Sequence, residues 1–154
     1  MSLMKIAAIV NRKGQNVESV RETEPLDSAV DVMHRKAIGS VVVHDSGARE
    51  ILGIVSQTEI VAATAVRGGN ALKLPVLLFM RKPALFCACQ DDAASVMRLM
   101  TRERCRHIVV CSASGGIAGV VSLGDLVAAL LEEAQLEAGV LRDMARSRLL
   151  SVPG

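Results

Sequence analysis

Gly53-Ile54-Val55-Ser56-Gln57-Thr58-Glu59 returns 66 residues later as Gly119-Val120-Val121-Ser122-Leu123-Gly124-Asp125. Each copy is the last strand-like apolar run before an apolar helix. Upstream, with one residue of slippage, Val30-Asp31-Val32-Met33 matches Met97-Arg98-Leu99-Met100, and Val41-Val42-Val43 matches Ile108-Val109-Val110. Order and near-constant offset held over several elements mark a duplicated supersecondary unit. Two copies in one chain predict a pseudo-twofold body with clefts between them.

Around that stretch the first copy reads as follows. A short apolar run, Ile6 to Val10, precedes a polar turn at Asn11-Arg12-Lys13-Gly14 and a brief strand near Val17 to Val20. Glu24-Pro25-Leu26 opens a helix with Pro25 in the first turn, where its missing N–H is harmless. Ile38 to Val43 is a β-branched run with the continuity of a strand buried on both faces. Asp45-Ser46-Gly47 turns the chain into a strand over Ile51 to Val55, and a helix from Glu59 to Val66 ends at Arg67-Gly68-Gly69-Asn70.

The second copy repeats this plan after a connector helix, Pro75 to Met80: a strand near Leu85 to Ala88, a helix from Asp92 to Met100, and strands Ile108 to Cys111 and Ile117 to Val121. Its last helix, Asp125 to about Leu149, spans about 35 Å at 1.5 Å per residue and overshoots a small lobe, leaving its end available to a second chain. The expected organisation is residues 5–70 for the first repeat, 71–131 for the second with its connector, and 132–154 for the helical extension and tail. The class is α/β, as two β-α-β-β-α units.

Composition excludes several functions. Of 154 residues 51% are hydrophobic, enough for one core built from two lobes. With 18 Lys and Arg against 16 Asp and Glu the net charge is +2, too balanced to predict nucleic-acid binding from electrostatics alone. Phe79 and Phe86 are the only aromatic residues, so no stacking platform for single-stranded nucleic acid exists. No apolar run has the roughly 20 residues of a membrane span. The start lacks a signal-peptide pattern, and Met1-Ser2-Leu3 reads as a cloning remnant. The expected compartment is the cytoplasm, with no nucleic-acid or membrane partner. Cys87, Cys89, Cys105 and Cys111 all fall in the second copy and read as reduced thiols. None forms a Cys-x-x-Cys knuckle, so no metal site is assigned. No nucleophile elbow, phosphate loop or zinc-protease helix occurs, and no catalytic residue is assigned.

The β-α-β-β-α order, the duplication, the Gly-apolar-apolar-Ser-x-x-Asp turn and the Arg106-His107-Ile108-Val109-Val110 strand lead-in together resemble a tandem pair of cystathionine β-synthase (CBS) domains, a Bateman module, over about Ile6 to Leu131. The likeness is to small stand-alone bacterial pairs. It implies two domains about a pseudo-twofold axis, a homodimer, and a non-enzymatic regulatory, energy-sensing role. Its clefts would bind an adenosine nucleotide such as AMP, ADP, ATP, NAD(H) or S-adenosylmethionine and pass occupancy to an unnamed regulated partner.

By that resemblance Asp125 holds the ribose, Ser122 and Gly124 line the phosphate side, and Arg106 with His107 approach the phosphates. Backbone at Leu85, Phe86 and Cys87 reads the adenine edge while Ile108 and Val120 pack its faces. The residue types suit these tasks: a helix N-terminus favours phosphate, and a carboxylate accepts two ribose hydroxyls. The first copy departs from the pattern. Glu59 stands for Asp, Gln57-Thr58-Glu59 for Glu-Arg-Asp, and Gly39-Ser40 for Arg106-His107. Its cleft, with Lys13, Gly14, Ser56 and Glu59 as liners, is expected to bind weakly or stay empty. Two other readings stand beside this one. Ser56 and Ser122, three residues before Glu59 and Asp125, also satisfy a capping box with no ligand. The whole chain would then be a nucleotide-independent scaffold. A thiol enzyme using Cys105 or Cys111 is the least supported.

Overall fold

The computed structural model describes residues 4–14 and 16–151. Met1, Ser2 and Leu3, which the sequence reads as a cloning remnant, lie outside the described residues. In chain order the elements are α1 Ile6–Lys13, β1 Ser19–Arg21, α2 Leu26–Lys36, β2 Ser40–His44, β3 Ile51–Ser56, α3 Gln57–Arg67, β4 Phe86–Ala88, α4 Ala93–Arg102, β5 His107–Cys111, β6 Ile117–Ser122 and α5 Leu123–Ser151. Two 3-10 segments, Gly68–Lys73 and Val76–Leu78, join α3 to β4.

Each repeat contributes one sheet, β1-β2-β3 and β4-β5-β6. In both, the first pair is parallel and the second antiparallel, with Val42 opposite Ile54 and Val109 opposite Val120. The duplication reaches into backbone irregularities. The register slips between Val43 and His44 and again between Val110 and Cys111. Ala37 and Arg104, each three residues before the central strand, both take φ of 53°, the left-handed conformation that breaks the preceding helix.

Strand alternation explains why the middles of β2 and β5 are apolar on both faces. Val41 and Val43 turn towards α2 and α3, in a core that includes Val20, Leu26 and Val55. Ile108 and Val110 do the same beneath α4 and α5, with Val96, Met100, Val121 and Leu126. The intervening side chains, Val42 and Ile54 from one sheet and Val109 from the other, meet in a third cluster with Ala84, and this is the seam between repeats. Val42, Ile54 and Val109 are each at most 2% exposed, worth about 1.5–3 kcal/mol apiece relative to solvent.

The structure corrects the expected elements at three places. Asn11-Arg12-Lys13 is not a turn but the last turn of α1, because Ile6, Ile9 and Val10 fall on one helical face and are buried. Gly14 closes that helix at φ 93°, its N–H donating to the Val10 carbonyl at 2.9 Å. The face of α1 packs into the core of the second repeat, not the first. The connector is not an α-helix, since Val76 N–H donates to the Glu24 carbonyl at 2.8 Å and Pro75 sits in an isolated bridge with Pro25, holding the segment extended before a single 3-10 turn. Val76 of this connector, with Ala71 of the 3-10 segment before it, packs into the first core. Pro25, finally, is the extended residue preceding α2 rather than part of its first turn.

The two repeated glycines, Gly53 within β3 and Gly119 within β6, serve close approaches. A Cβ on Gly53 would lie 2.4 Å from the Arg81 carbonyl oxygen, which accepts from Ile54 N–H at 3.0 Å while Arg81 N–H returns a bond to the Ile54 carbonyl at 2.9 Å. At Gly119 the neighbour is instead Val10 of α1, 3.3 Å away. No helix among the described residues is long and apolar enough to cross a membrane.

Candidate ligand cleft

Helix α5 begins where β6 ends, and the Ser122-x-x-Asp125 spacing closes a reciprocal cap there. Ser122 N–H donates to Asp125 Oδ2 at 2.8 Å and Asp125 N–H donates to Ser122 Oγ at 3.0 Å. The same carboxylate oxygen receives Lys13 Nζ at 2.6 Å, from the last residue of α1. Two turns further along α5, Glu132 pairs with Arg12 at 2.6 Å. The buried face of α1 therefore delivers two cations to the start of α5. Burial pulls the Asp125 carboxyl upward, but the Lys13 bond, the Ser122 N–H and the lysine charge outweigh it. Its pKa falls below the ordinary carboxylate value, so Asp125 is an anion at neutral pH.

Above this pair opens a cavity of about 300 Å³, the lower end of the usual range for small-molecule sites. It is built crosswise. Asn16, Val17, Glu18 and the Ala37 to Ser40 segment come from the first repeat, and His107, Val120, Ser122 and Asp125 from the second, with Lys13 at the edge. Gly39 permits the crossing: a Cβ there would meet His107 Nε2 at 3.0 Å. Burial lowers the His107 pKa and the Lys13 charge lowers it further, with Glu59 and Asp125 both opposing. The imidazole thus feels both carboxylates and stays neutral near pH 7.

Of the residues assigned to the Asp125 cleft, the structure gathers His107, Val120 and Ser122 around Asp125. Gly124 is exposed on the first turn of α5 and does not line the cavity. Ile108 is fully buried in the second core, and Cys87 is buried there with Leu85 packed against it. Phe86 is exposed on β4, and none of Leu85, Phe86 and Cys87 lines this cavity. Arg106 is exposed and contributes its carbonyl to Leu123 N–H at 2.8 Å, not its side chain to the cleft. Lys13, which the sequence grouped with Ser56 and Glu59, lies on the Asp125 side, as do Gly39 and Ser40. Gly14 lies there too, its carbonyl 3.9 Å from the Cβ position of Gly119.

Ser56 and Glu59 form a closed capping box on α3. Glu59 Oε2 accepts from Ser56 N–H at 2.7 Å and from the Ser56 hydroxyl, and Thr58 N–H donates to Ser56 Oγ at 3.3 Å. Glu59 has no ion pair among the described residues. Over Gly53 the first repeat carries Met80 and Arg81 where the second carries α1, so no lysine is delivered.

The liners missed from sequence, Asn16 to Glu18 and Ala37 to Ile38, belong to the opposite repeat from the Asp125 motif. A signal was present: β2 is apolar on both faces, which requires its sheet to be covered by the other one. All four thiols are free, Cys87 and Cys105 buried; burial pushes the Cys87 thiol up to about 12. No group of three or more metal-ligating side chains occurs among the described residues.

Two β-α-β-β-α units joined sheet to sheet, with a cleft that draws on both, define a tandem α/β repeat module. The chain belongs to the CBS domain family, whose pattern matches it twice, at residues 6–65 and 76–132. By class it is a CBS-domain regulatory module.

Similar proteins include a CBS-domain containing protein from Agrobacterium tumefaciens, whose crystal structure superposes with a TM-score of 0.77 at 31% identity, covering 82% of this chain and 93% of that one. A CBS domain protein from Pyrobaculum aerophilum, solved in complex with AMP, superposes with a TM-score of 0.72 at 24% identity over 86% of this chain and 99% of its own. An uncharacterized 17.7 kDa protein of Acidianus ambivalens is 27% identical over 135 residues, covering 88% of this chain and 78% of the relative.

Proposed function

We propose that the Lys13–Asp125 cleft binds an adenosine nucleotide and that its occupancy is passed to a partner protein as a change in how the two repeats are held. One observation carries this reading: an ionised carboxylate at the start of α5 is offered together with a lysine, in a cavity with walls from both repeats. Ribose hydroxyls donating to Asp125 would take over the place of Lys13 Nζ. The freed ammonium would then turn to the phosphate, assisted by the N-terminal end of α5. Val17 and Val120 supply aliphatic walls for a planar base.

The AMP complex of the Pyrobaculum relative supports the ligand class. A ligand touching both walls binds best when they are at one separation, and so shifts the population of repeat orientations. The Glu59 side, without a lysine paired to its carboxylate, would bind more weakly or not at all.

Calorimetric titration with AMP, ADP, ATP, NADH and S-adenosylmethionine tests the proposal on wild type and Asp125→Ala. Saturable heat from at least one ligand, lost in the variant, is the expected result. Heat from none of them leaves the second reading, a nucleotide-independent assembly module, for which the exposed apolar residues of α5 speak.

A further inference from the structure

From Ala134 to Ser151 every residue of α5 except Gly139 is exposed. This length, about 27 Å at 1.5 Å per residue, extends beyond the packed body. A helix in water is held mainly by packing of an apolar face, so such an overhang calls for a cover. The sequence provides one continuous seam. Val127, Leu131, Ala134, Ala138, Leu141 and Ala145 follow one another at alternating steps of four and three, the repeat of a two-helix coiled coil. Val127, Leu131 and Leu141 are 49%, 57% and 66% exposed. The alternative line through Leu126, Leu130, Val140 and Met144 is interrupted by Glu133 and Glu137.

We infer that this seam is covered by the same seam of a second copy, running antiparallel. Reversal about the point between Gly139 and Val140 maps the seam onto itself. Ala138 then faces Leu141, Ala134 faces Ala145, and Leu131 faces the aliphatic stem of Arg148, so large residues meet small ones or a flexible stem. A twofold interface demands this self-complementarity. Charge selects the same direction. Glu132, Glu133 and Glu137 precede the midpoint, whereas Arg142, Arg146 and Arg148 follow it with Asp143 as the single acid. Antiparallel pairing brings the acidic half of one helix beside the basic half of the other; parallel pairing opposes like charges. Arg12 already occupies Glu132, leaving Glu137 and the arginines to set the direction. The interface is independent of nucleotide binding.

Sedimentation of the full chain without nucleotide, over a range of concentrations, tests the surface. A reversible dimer is expected, weakened by about tenfold or more in Leu141→Glu, which buries an unpaired charge in the seam. An unchanged far-ultraviolet circular dichroism spectrum checks that the variant stays folded. Direction is read by disulfide trapping with peptide mapping. Ala134→Cys chains mixed with Ala145→Cys chains should cross-link to each other. Two Ala134→Cys chains should not, because antiparallel pairing sets those positions about 16 Å apart along the axis, beyond disulfide reach. A monomer at every concentration, a dimer indifferent to Leu141→Glu, or a 134-to-134 cross-link would each overturn the inference.

Discussion

Replacing Asp125 with alanine removes three interactions at once. The Ser122 N–H loses its acceptor, the N-terminal turn of α5 loses its anion, and Lys13 loses the partner 2.6 Å away. Loss of the reciprocal cap costs about 1 kcal/mol. The Lys13 side chain is 41% exposed and that of Asp125 30%, so solvent screening limits the ion pair to about 0.5 kcal/mol. Together these give about 1–2 kcal/mol, which for a chain of this size lowers Tm by about 3–6 °C.

The pH dependence has a definite sign. Because the folded carboxyl sits below its ordinary value, its contribution is complete above the unfolded pKa and is lost as pH falls through the depressed folded one. The Tm difference between wild type and Asp125→Ala should be full at pH 7 and narrow at pH 3. Asp125→Asn, which keeps an oxygen for Ser122 N–H but surrenders the charge, should fall between them at pH 7. Thermal denaturation followed by circular dichroism measures all three. Equal Tm values at pH 7, or a gap that does not narrow at pH 3, would refute the assignment of Asp125 as the ionised joint between α1 and α5.

Two further outcomes follow from the glycines and the histidine. Gly53→Ala should destabilise by about 2 kcal/mol or more in urea, since its methyl meets a backbone carbonyl that cannot swing aside, whereas Gly119→Ala meets the movable Val10 side chain and should cost less. His107 should titrate below the ordinary histidine value when followed by NMR. Because the folded value is lowered, chain stability should decline as pH falls through the unfolded histidine pKa towards the folded one, and His107→Gln should flatten that slope.

Much of the fold was legible because its signals are local. A β-branched run, a Gly-containing turn and a serine three residues before an acid each specify backbone geometry without reference to distant residues. What escaped depended on partners far along the chain. Asn11-Arg12-Lys13 is polar because it is the solvent side of a helix, and polarity alone does not separate that from a turn. Pro75 to Met80 carries helix-forming residues, yet hydrogen bonds from Leu26 N–H to the Leu74 carbonyl and from Val76 N–H to the Glu24 carbonyl hold the segment's start extended. The site was half legible for the same reason. The Ser122–Asp125 cap is a local pattern, but the pairing of Asp125 with Lys13 spans 112 positions and depends on where α1 docks. Leu85 to Cys87 come from the same repeat as the Asp125 motif, whereas the facing wall of this cavity is supplied by Asn16 to Glu18 and Ala37 to Ser40 of the other repeat, across the seam at Val42, Ile54 and Val109.

Ile6, Ile9 and Val10 emerge from the ribosome before either sheet, yet the groove that receives them is not complete until β6 and the first turn of α5 have been made. During synthesis the opening helix must wait, its oily side uncovered, while the whole first sheet assembles beside it. When it finally docks, it clasps the last helix of the second repeat to the first and carries Lys13 to its carboxylate in the same motion. Completion of the cleft is thereby tied to synthesis of α5, so a product truncated before that helix offers neither a finished core nor a charged pocket.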